Sequence, residues 1–305
     1  MTEGIERIAY DEFSLFHENA EEFGLPWSGP PAVRRQDVAL DDGRHISALV
    51  WGDEPGDLVL LHGGAQNAHT WDTVALALDR PLVAVDLPGH GHSGPGRDGS
   101  LDVRSNAADV AAAIRATAAT PVHLVGMSLG GMTALAVTDA EPDLVKSLIL
   151  VDVTPGVTGP KAQHIAAFIN GPERFESFDD LLARTIEFNP TRSVSSLRRG
   201  ILHNAEQLED GSWVWRYARF RAGETGGHPD FTGLWDAVSR LRVPVLLARG
   251  LRDQSVVDDA DEAELRRRVP GARVEHFAES GHSIQGDQPV ELARAIAGFT
   301  SSVGT

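Results

Sequence analysis

The stretch that decides the fold is "PVHLVGMSLGGMTALAVTDA", residues 121–140. It begins as an apolar, β-branched run and ends as an alanine-rich run with helical spacing. Between the two lies the quintet Gly126-Met127-Ser128-Leu129-Gly130, which predicts a sharp strand-to-helix turn with Ser128 at its tip. Because a G-x-S-x-G match also occurs by chance, the residues elsewhere in the chain decide whether Ser128 is a nucleophile.

The composition limits the classes of function. The chain has 305 residues, of which 42% are hydrophobic and 23% charged, as in an ordinary globular protein with a full core. Its net charge of −17 repels phosphate backbones and anionic lipids, so we expect a small-molecule substrate and neither nucleic acid nor a membrane as partner. The absence of cysteine excludes disulfides, thiolate metal sites and a cysteine nucleophile.

The beginning of the chain, "MTEGIERIAYDEF", is charged and lacks the apolar core of a secretory signal. No apolar run approaches the ~18 residues that a membrane span needs. These features predict a cytoplasmic protein. A homodimer is compatible with the sequence, which carries no signal for or against it.

Short apolar runs alternate with helical stretches along most of the chain. A predicted hairpin, 36–40 and 45–51, comes first, and the later runs include "DLVLLHGG", "PLVAVDLPGHG", "KSLILVD" and "PVLLARG". Continuous apolar strands that alternate with helices predict a parallel sheet with helices on both faces.

The alternation stops between residues 154 and 240, where the sequence predicts mainly helices. We interpret this insertion as a cap over the carboxyl ends of the strands, where open α/β sheets bind ligands; a purely structural elaboration is the alternative. The predicted organisation is a core in two parts, 1–153 and 241–305, with the cap at 154–240. Residues 1–30 form a helical extension of the first part.

Three polar residues follow three predicted strands in the chain order Ser…Asp…His, which is the order of one particular α/β fold. Ser128 is the candidate nucleophile and His282, in "ESGHS", the candidate base. Asp253, in "GLRDQ", is the preferred acid to orient the base. Asp152, at the end of "LILVD", is its rival. Asp258 and Asp259 are better explained as a helix cap.

The oxyanion requires backbone donors close to the nucleophile. The best candidates are the N–H groups of Leu129, directly after Ser128, and of Gly64, in "LHGG". An ordinary glycine turn is the alternative for "LHGG" taken alone.

Taken together, "LLHGG", "VDLPGHGHSG", "LVGMSLGG", "LILVD", "RGLRDQSV" and "SGHSIQGDQP" resemble the α/β-hydrolase fold family in order and spacing, from about residue 33 onward. The resemblance implies a mostly parallel eight-stranded sheet with a cap inserted after the sixth strand, and a serine hydrolase without a cofactor. It also implies that "PGHGHS" is a structural loop, so that His90 and His92 are not metal ligands. His62 would then anchor the oxyanion loop, and Asp86 would make local hydrogen bonds.

The function that follows is hydrolysis of an ester, lactone or related acyl bond in a small, largely apolar substrate. The family leaves three alternatives open: carbon–carbon bond hydrolysis of dienoic keto-acids, acyl thioester hydrolysis, and a receptor that retains the triad. Met127, Trp213 and Trp215 are candidate pocket residues. Arg192, Arg198 and Arg199 of the cap are candidates to pair with a substrate carboxylate.

Overall fold

A mostly parallel eight-stranded sheet forms the centre of the molecule. The structure, a computed structural model, describes residues 7–97, 102–218 and 231–303. The strand order is β1-β2-β4-β3-β5-β6-β10-β11, in which β1 and β2 are antiparallel to their neighbours and the others are parallel. The strands of the sheet are β1 Val33–Ala39, β2 His45–Trp51, β3 Leu58–Leu61, β4 Leu82–Val85, β5 Val122–Met127, β6 Val145–Val151, β10 Val245–Gly250 and β11 Arg273–Phe277.

Helices cover both faces of this sheet, as the apolar runs predict. The helices of the core are α1 Phe16–Glu22, α2 Asp72–Leu78, α3 Val103–Thr117, α4 Leu129–Ala140, α8 Trp235–Arg240, α9 Asp259–Arg268, α10 Ile284–Asp287 and α11 Pro289–Val303. One apolar cluster joins the sheet to α3, α4 and α8, and a second joins it to α2 and α11. Along β5, Leu124 belongs to the first cluster and Val125 to the second, because successive side chains of a strand point to opposite faces.

The cap follows β6, the sixth strand, as expected. It contains α5 Gln163–Ile169, β7 Arg174–Phe175, α6 Phe178–Phe188, α7 Val194–Asn204, β8 Ala205–Gln207 and β9 Trp213–Trp215. The three short strands pair as an antiparallel sheet in the order β7-β9-β8, so the cap is less purely helical than the sequence suggests. Residues 219–230 of the predicted cap lie outside the described residues. Helix α8, within the predicted cap boundary, packs its buried Val238 into the core.

The N-terminal extension contains one helix, α1, within the predicted range 1–30. Its Phe16 is buried against Trp51 of β2, with ring centroids 4.9 Å apart. Its acidic face pairs with the cap, since Glu18 and Glu22 both form ion pairs with Arg199 of α7. The extension therefore connects the core to the cap.

None of the helices within the described ranges is long and apolar enough to cross a membrane.

The glycines of the 126–130 quintet are required by close backbone packing. A Cβ atom on Gly126 would lie 2.3 Å from the carbonyl oxygen of Gly130. A Cβ on Gly130 would lie 2.4 Å from the carbonyl oxygens of both Leu61 and His62. Helix α4 thus begins in contact with the end of β3, at a distance that only glycine permits. This contact explains the glycines on either side of Ser128.

We predict that Gly130→Ala lowers the free energy of unfolding by about 1–3 kcal/mol or more, because backbone carbonyls cannot move away as a flexible side chain can. Gly298→Ala is the matched control, since Gly298 lies in α11 with nothing within 4 Å of an added Cβ. Alanine should stabilise that helix by about 0.5–1 kcal/mol. Urea titrations at constant m-value measure both changes; equal stabilities of the two variants would contradict the packing argument.

Candidate active site

Ser128 occupies the tip of the turn between β5 and α4. Its backbone angles are φ 52° and ψ −120°, a strained conformation for a residue with a side chain. The side chain lines a cavity of about 240 Å³ between the core and the cap. A serine held in a strained turn at the start of a helix is the arrangement of a nucleophile elbow. The structure therefore places the predicted nucleophile where a ligand can reach it.

His282 lines the same cavity from the loop between β11 and α10. Its Nδ1–H donates to Oδ2 of Asp152 over 2.9 Å. Its Nε2 is buried and has no hydrogen-bond partner within the described parts of the chain. The hydrogen bond at Nδ1 fixes the tautomer in which Nε2 carries a lone pair, so Nε2 is available to accept a proton from a nucleophile.

The carboxylate that orients His282 is Asp152. Asp152 follows β6 directly and is completely buried. Besides His282, it accepts hydrogen bonds from the backbone N–H of Gly250 and of Val256 and from the hydroxyl of Ser255, over 2.6–3.1 Å. Four donors on one carboxylate hold it rigidly in this orientation.

The prediction that Asp253 orients the histidine is wrong. The side chain of Asp253 is exposed, in the loop that follows β10. Strands β6 and β10 are parallel neighbours with Val151 opposite Ala248, so an acid at either carboxyl end emerges at the same edge of the sheet. The sequence offered one acid on each strand. Their burial separates them. The sequence signal is that Asp152 directly follows the apolar end of β6, whereas two residues lie between the end of β10 and Asp253.

Of the other acids near β10, Asp258 caps α9 as predicted, whereas Asp259 is the first residue of that helix and forms an ion pair instead. The side chain of Asp258 accepts a hydrogen bond from the backbone N–H of Asp261 and forms a capping box at the start of α9. Asp259 pairs with Arg249 over 2.7 Å. Neither acid is therefore the one that orients His282.

A count of backbone donors supports Gly64 as one side of an oxyanion hole. Three of four consecutive N–H groups have partners: Gly63 donates to the side chain of Gln66, Gln66 donates to the carbonyl of Gly63, and Ala65 donates to Nε2 of His90. The N–H of Gly64 donates to no described residue. The same holds for Leu129, the first residue of α4, whose N–H precedes the helical hydrogen bonds.

Two buried histidines hold the glycine loop. Nδ1–H of His62 donates to the carbonyl of Gly63 over 2.7 Å, and its Nε2 accepts from the N–H of Leu87 over 2.9 Å. His90 donates from Nδ1 to the carbonyl of Pro88 and accepts at Nε2 from Ala65. Burial lowers the pKa of His90 to about 3, so its Nε2 remains an acceptor. Both rings thus hold the loop in place. Each of their nitrogens already has a hydrogen-bond partner, so none is free to bind a metal.

Asp86, at the start of that loop, also has a structural role. Asp86 is buried and accepts hydrogen bonds from the N–H groups of Ala68 and His92 and from Arg35. Asp86 therefore makes the local hydrogen bonds that the family resemblance implies.

A buried ionic cluster on the wall of the cavity was missed by sequence reasoning. His69 lies between Asp72, 2.9 Å from its Nδ1, and Glu12, 3.1 Å from its Nε2. Burial alone would lower the pKa of His69, but these two carboxylates outweigh it and raise the pKa to about 9. The ring stacks on His203 of the cap, with centroids 3.8 Å apart. The cluster therefore joins the N-terminal extension, the core and the cap.

Three residues of this cluster have the composition of a metal site. His69, Asp72 and His203 each offer a ligand atom, and these atoms lie within 4.8 Å of one another. Because Asp72 and Glu12 already occupy both ring nitrogens of His69, an ion-pair network accounts for the arrangement.

The aromatic residues of the cap divide between the cavity and the interior of the cap. Trp215 lines the cavity, as does Met127 of β5, and both were predicted pocket residues. The prediction for Trp213 is wrong: its ring is buried edge-on against Phe178, with centroids 5.2 Å apart, and does not line the cavity. Both indoles project from β9, but only Trp215 lies far enough along the strand to reach the cavity.

Comparison with known proteins places this site in a family. Residues 58–289 match the family model described as "alpha/beta hydrolase fold". Esterase Rv0045c of Mycobacterium tuberculosis is 45% identical over 301 residues, which cover 96% of this chain and 97% of that protein. A solved structure of that esterase, studied for its transition-metal inhibition, has a TM-score of 0.83 and 43% identity, covering 96% of this chain and all of the other. The sn-1-specific diacylglycerol lipase ABHD11 of Xenopus laevis is 28% identical over 258 residues, 80% of each chain.

We predict that Asp152→Asn lowers turnover about 10⁴-fold, because the amide would present an N–H to Nδ1 of His282 and favour the wrong tautomer. Asp253→Asn is the matched control and should remain within about twofold of the wild type. Steady-state hydrolysis of a p-nitrophenyl ester measures both, and thermal melting separates loss of turnover from loss of folding. A larger loss in the Asp253 variant than in the Asp152 variant would overturn the assignment.

Proposed function

Because this chain belongs to the α/β-hydrolase fold family, we propose that it is a serine hydrolase that cleaves an ester bond through an acyl-enzyme on Ser128. One observation carries the proposal: Ser128, His282 and Gly64 line one cavity, and no described residue is a hydrogen-bond partner of Nε2 of His282 or of the N–H of Gly64. Leu129 follows Ser128 directly at the start of α4, and its N–H likewise precedes the helical hydrogen bonds. The similarity over nearly the whole chain to an esterase supports the same reaction.

The first half of the reaction is acylation. Ser128 Oγ attacks the ester carbonyl while Nε2 of His282 takes its proton, and the N–H groups of Gly64 and Leu129 receive the oxyanion. The imidazolium then donates its proton to the leaving alkoxide. Throughout, Asp152 holds the ring through Nδ1 and stabilises its positive charge, without itself being protonated.

The second half is deacylation by water. Nε2 of His282 accepts a proton from a water molecule, which attacks the acyl carbonyl, and the same two backbone donors stabilise the second oxyanion. Collapse releases the acid and returns the proton to Ser128. Each group that this sequence requires belongs to the chain itself, so the proposed reaction needs no metal or other cofactor.

The cavity walls support a substrate with an apolar portion. Met127 of β5 and Trp215 and Phe168 of the cap line it together, and an apolar lining with a few placed polar groups is typical of small-molecule sites. The ester's apolar part would lie against these side chains. We place the reaction in the cytoplasm, which the cysteine-free composition supports.

We predict that Ser128→Ala abolishes covalent labelling by a fluorophosphonate probe and hydrolysis of p-nitrophenyl butyrate. The matched control is Ser283→Ala, since Ser283 also lines the cavity, next to His282. Its removal should leave labelling intact. Intact-protein mass spectrometry measures the labelling of both variants, and release of p-nitrophenol measures the hydrolysis. Labelling of the Ser128 variant at the wild-type rate would exclude Ser128 as the nucleophile.

A further inference from the structure

Two cap arginines line the cavity, and their guanidinium groups have very different surroundings. Arg199 of α7 is fully engaged by α1 of the N-terminal extension. Its Nε donates to Asn19 over 3.0 Å, and it forms ion pairs with Glu18 and Glu22. Its charge is therefore used within the protein, to hold the extension against the cap.

Arg192 precedes α7 and lines the same cavity. Its Nη2 donates to the hydroxyl of Ser196 over 2.5 Å, which anchors the group at one corner. Its Nε is buried without a hydrogen-bond partner. Among the residues that the structure describes, none brings a carboxylate oxygen within 4.0 Å of its guanidinium. Arg192 is thus a cavity-lining cation without a direct counter-ion.

The guanidinium of Arg192 lies against Gly286 of α10. A Cβ atom on Gly286 would lie 2.9 Å from both Cζ and Nη1 of Arg192, so glycine allows this close approach. Helix α10 begins two residues after His282, and Gly286 and His282 both line the cavity. Arg192 therefore contacts α10, the helix that follows the proposed base.

The nearest carboxylates have other partners. Asp287 accepts the N–H of Gly281 over 3.0 Å, and Glu22 is bound by Arg199 and Ser193. Burial lowers the pKa of Arg192, and Asp287 and Glu22 counteract it from a distance. A buried charge without a direct partner is costly unless an anion completes it, and a planar guanidinium matches a carboxylate in two parallel hydrogen bonds.

We propose that Arg192 recognises a carboxylate on the substrate, so that the ester cleaved at Ser128 belongs to an anionic molecule such as a half-ester of a dicarboxylic acid. The inference rests on the proposed ester hydrolysis and adds the chemical class of its substrate. Lysine would be a poorer replacement than its charge suggests, because it lacks the planar fork. Ser196 and Gly286 hold the guanidinium group of Arg192 in place.

The test compares two pairs of esters of matched length. In the first, the carboxylate is on the acyl chain: mono-p-nitrophenyl glutarate against p-nitrophenyl pentanoate. In the second it is on the leaving group: p-carboxyphenyl butyrate against phenyl butyrate. The wild type should prefer the anionic member of at least one pair. Arg192→Gln should lose about 10- to 100-fold in kcat/KM for that member, mainly through KM, the loss expected for a charge-assisted hydrogen bond.

Three controls make the result specific. Neutral esters should be cleaved by Arg192→Gln within about twofold of the wild-type rate, and Arg192→Lys should recover part of the anionic preference. Arg198→Gln, which removes an exposed arginine of the neighbouring helix α7, should leave the preference unchanged. An equal loss for anionic and neutral esters would mean that Arg192 is merely structural, and a wild type without preference in both pairs would overturn the proposal. Fluorophosphonate labelling of Ser128 in every variant separates these outcomes from a failure of the hydrolase assignment itself.

Discussion

The structure of the site depends on one buried carboxylate. Asp152 accepts hydrogen bonds from two backbone N–H groups that belong to the end of β10 and the loop after it, from Ser255, and from His282. These contacts fix the end of β6 relative to β10 and hold the loop that carries the histidine. Burying this carboxylate without its hydrogen-bond donors would be costly. The contacts that hold the strand ends and the contact that orients the imidazole therefore stabilise each other.

The backbone around the nucleophile is constrained in a different way. At Gly126 and Gly130 the chain is packed so closely that a Cβ atom would overlap backbone oxygens, and Ser128 is held at positive φ between them. The buried rings of His62 and His90 hold the facing loop, in which the N–H of Gly64 has no acceptor among the residues that the structure describes. The two sides of the oxyanion site are thus positioned by packing and by hydrogen bonds that involve no substrate.

Ionic and polar contacts connect the cap, the core and the N-terminal extension. The N-terminal extension supplies Glu12, next to His69 of the core, and Glu18 and Glu22, next to Arg199 of the cap. The extension thereby provides counter-ions for His69 and Arg199 at the cavity wall. Arg192 has no direct counter-ion within the described ranges, and this difference between the two arginines is the basis for expecting an anionic substrate.

Much of this could be predicted from the sequence, because short apolar runs and glycine-flanked turns are local features. The sheet, the insertion after the sixth strand, Ser128 and His282 follow from such features. The choice between Asp152 and Asp253 depends on which of two adjacent strand ends is buried against the histidine loop, and local pattern does not report burial. For the same reason the sequence does not distinguish Trp213 from Trp215. The pairing of Glu12 with His69 is not predictable from local pattern either, because the two residues lie 57 positions apart in the chain.

The hydrogen bond between His282 and Asp152 can be observed directly by proton NMR of protein labelled with ¹⁵N-histidine. A proton on Nδ1 that is shared with a buried carboxylate resonates far downfield and exchanges slowly with water. We predict such a resonance from His282 in the wild type and in Asp253→Asn, and its loss in Asp152→Asn while the rest of the spectrum stays folded. A resonance that persists in Asp152→Asn and disappears in Asp253→Asn would contradict the account.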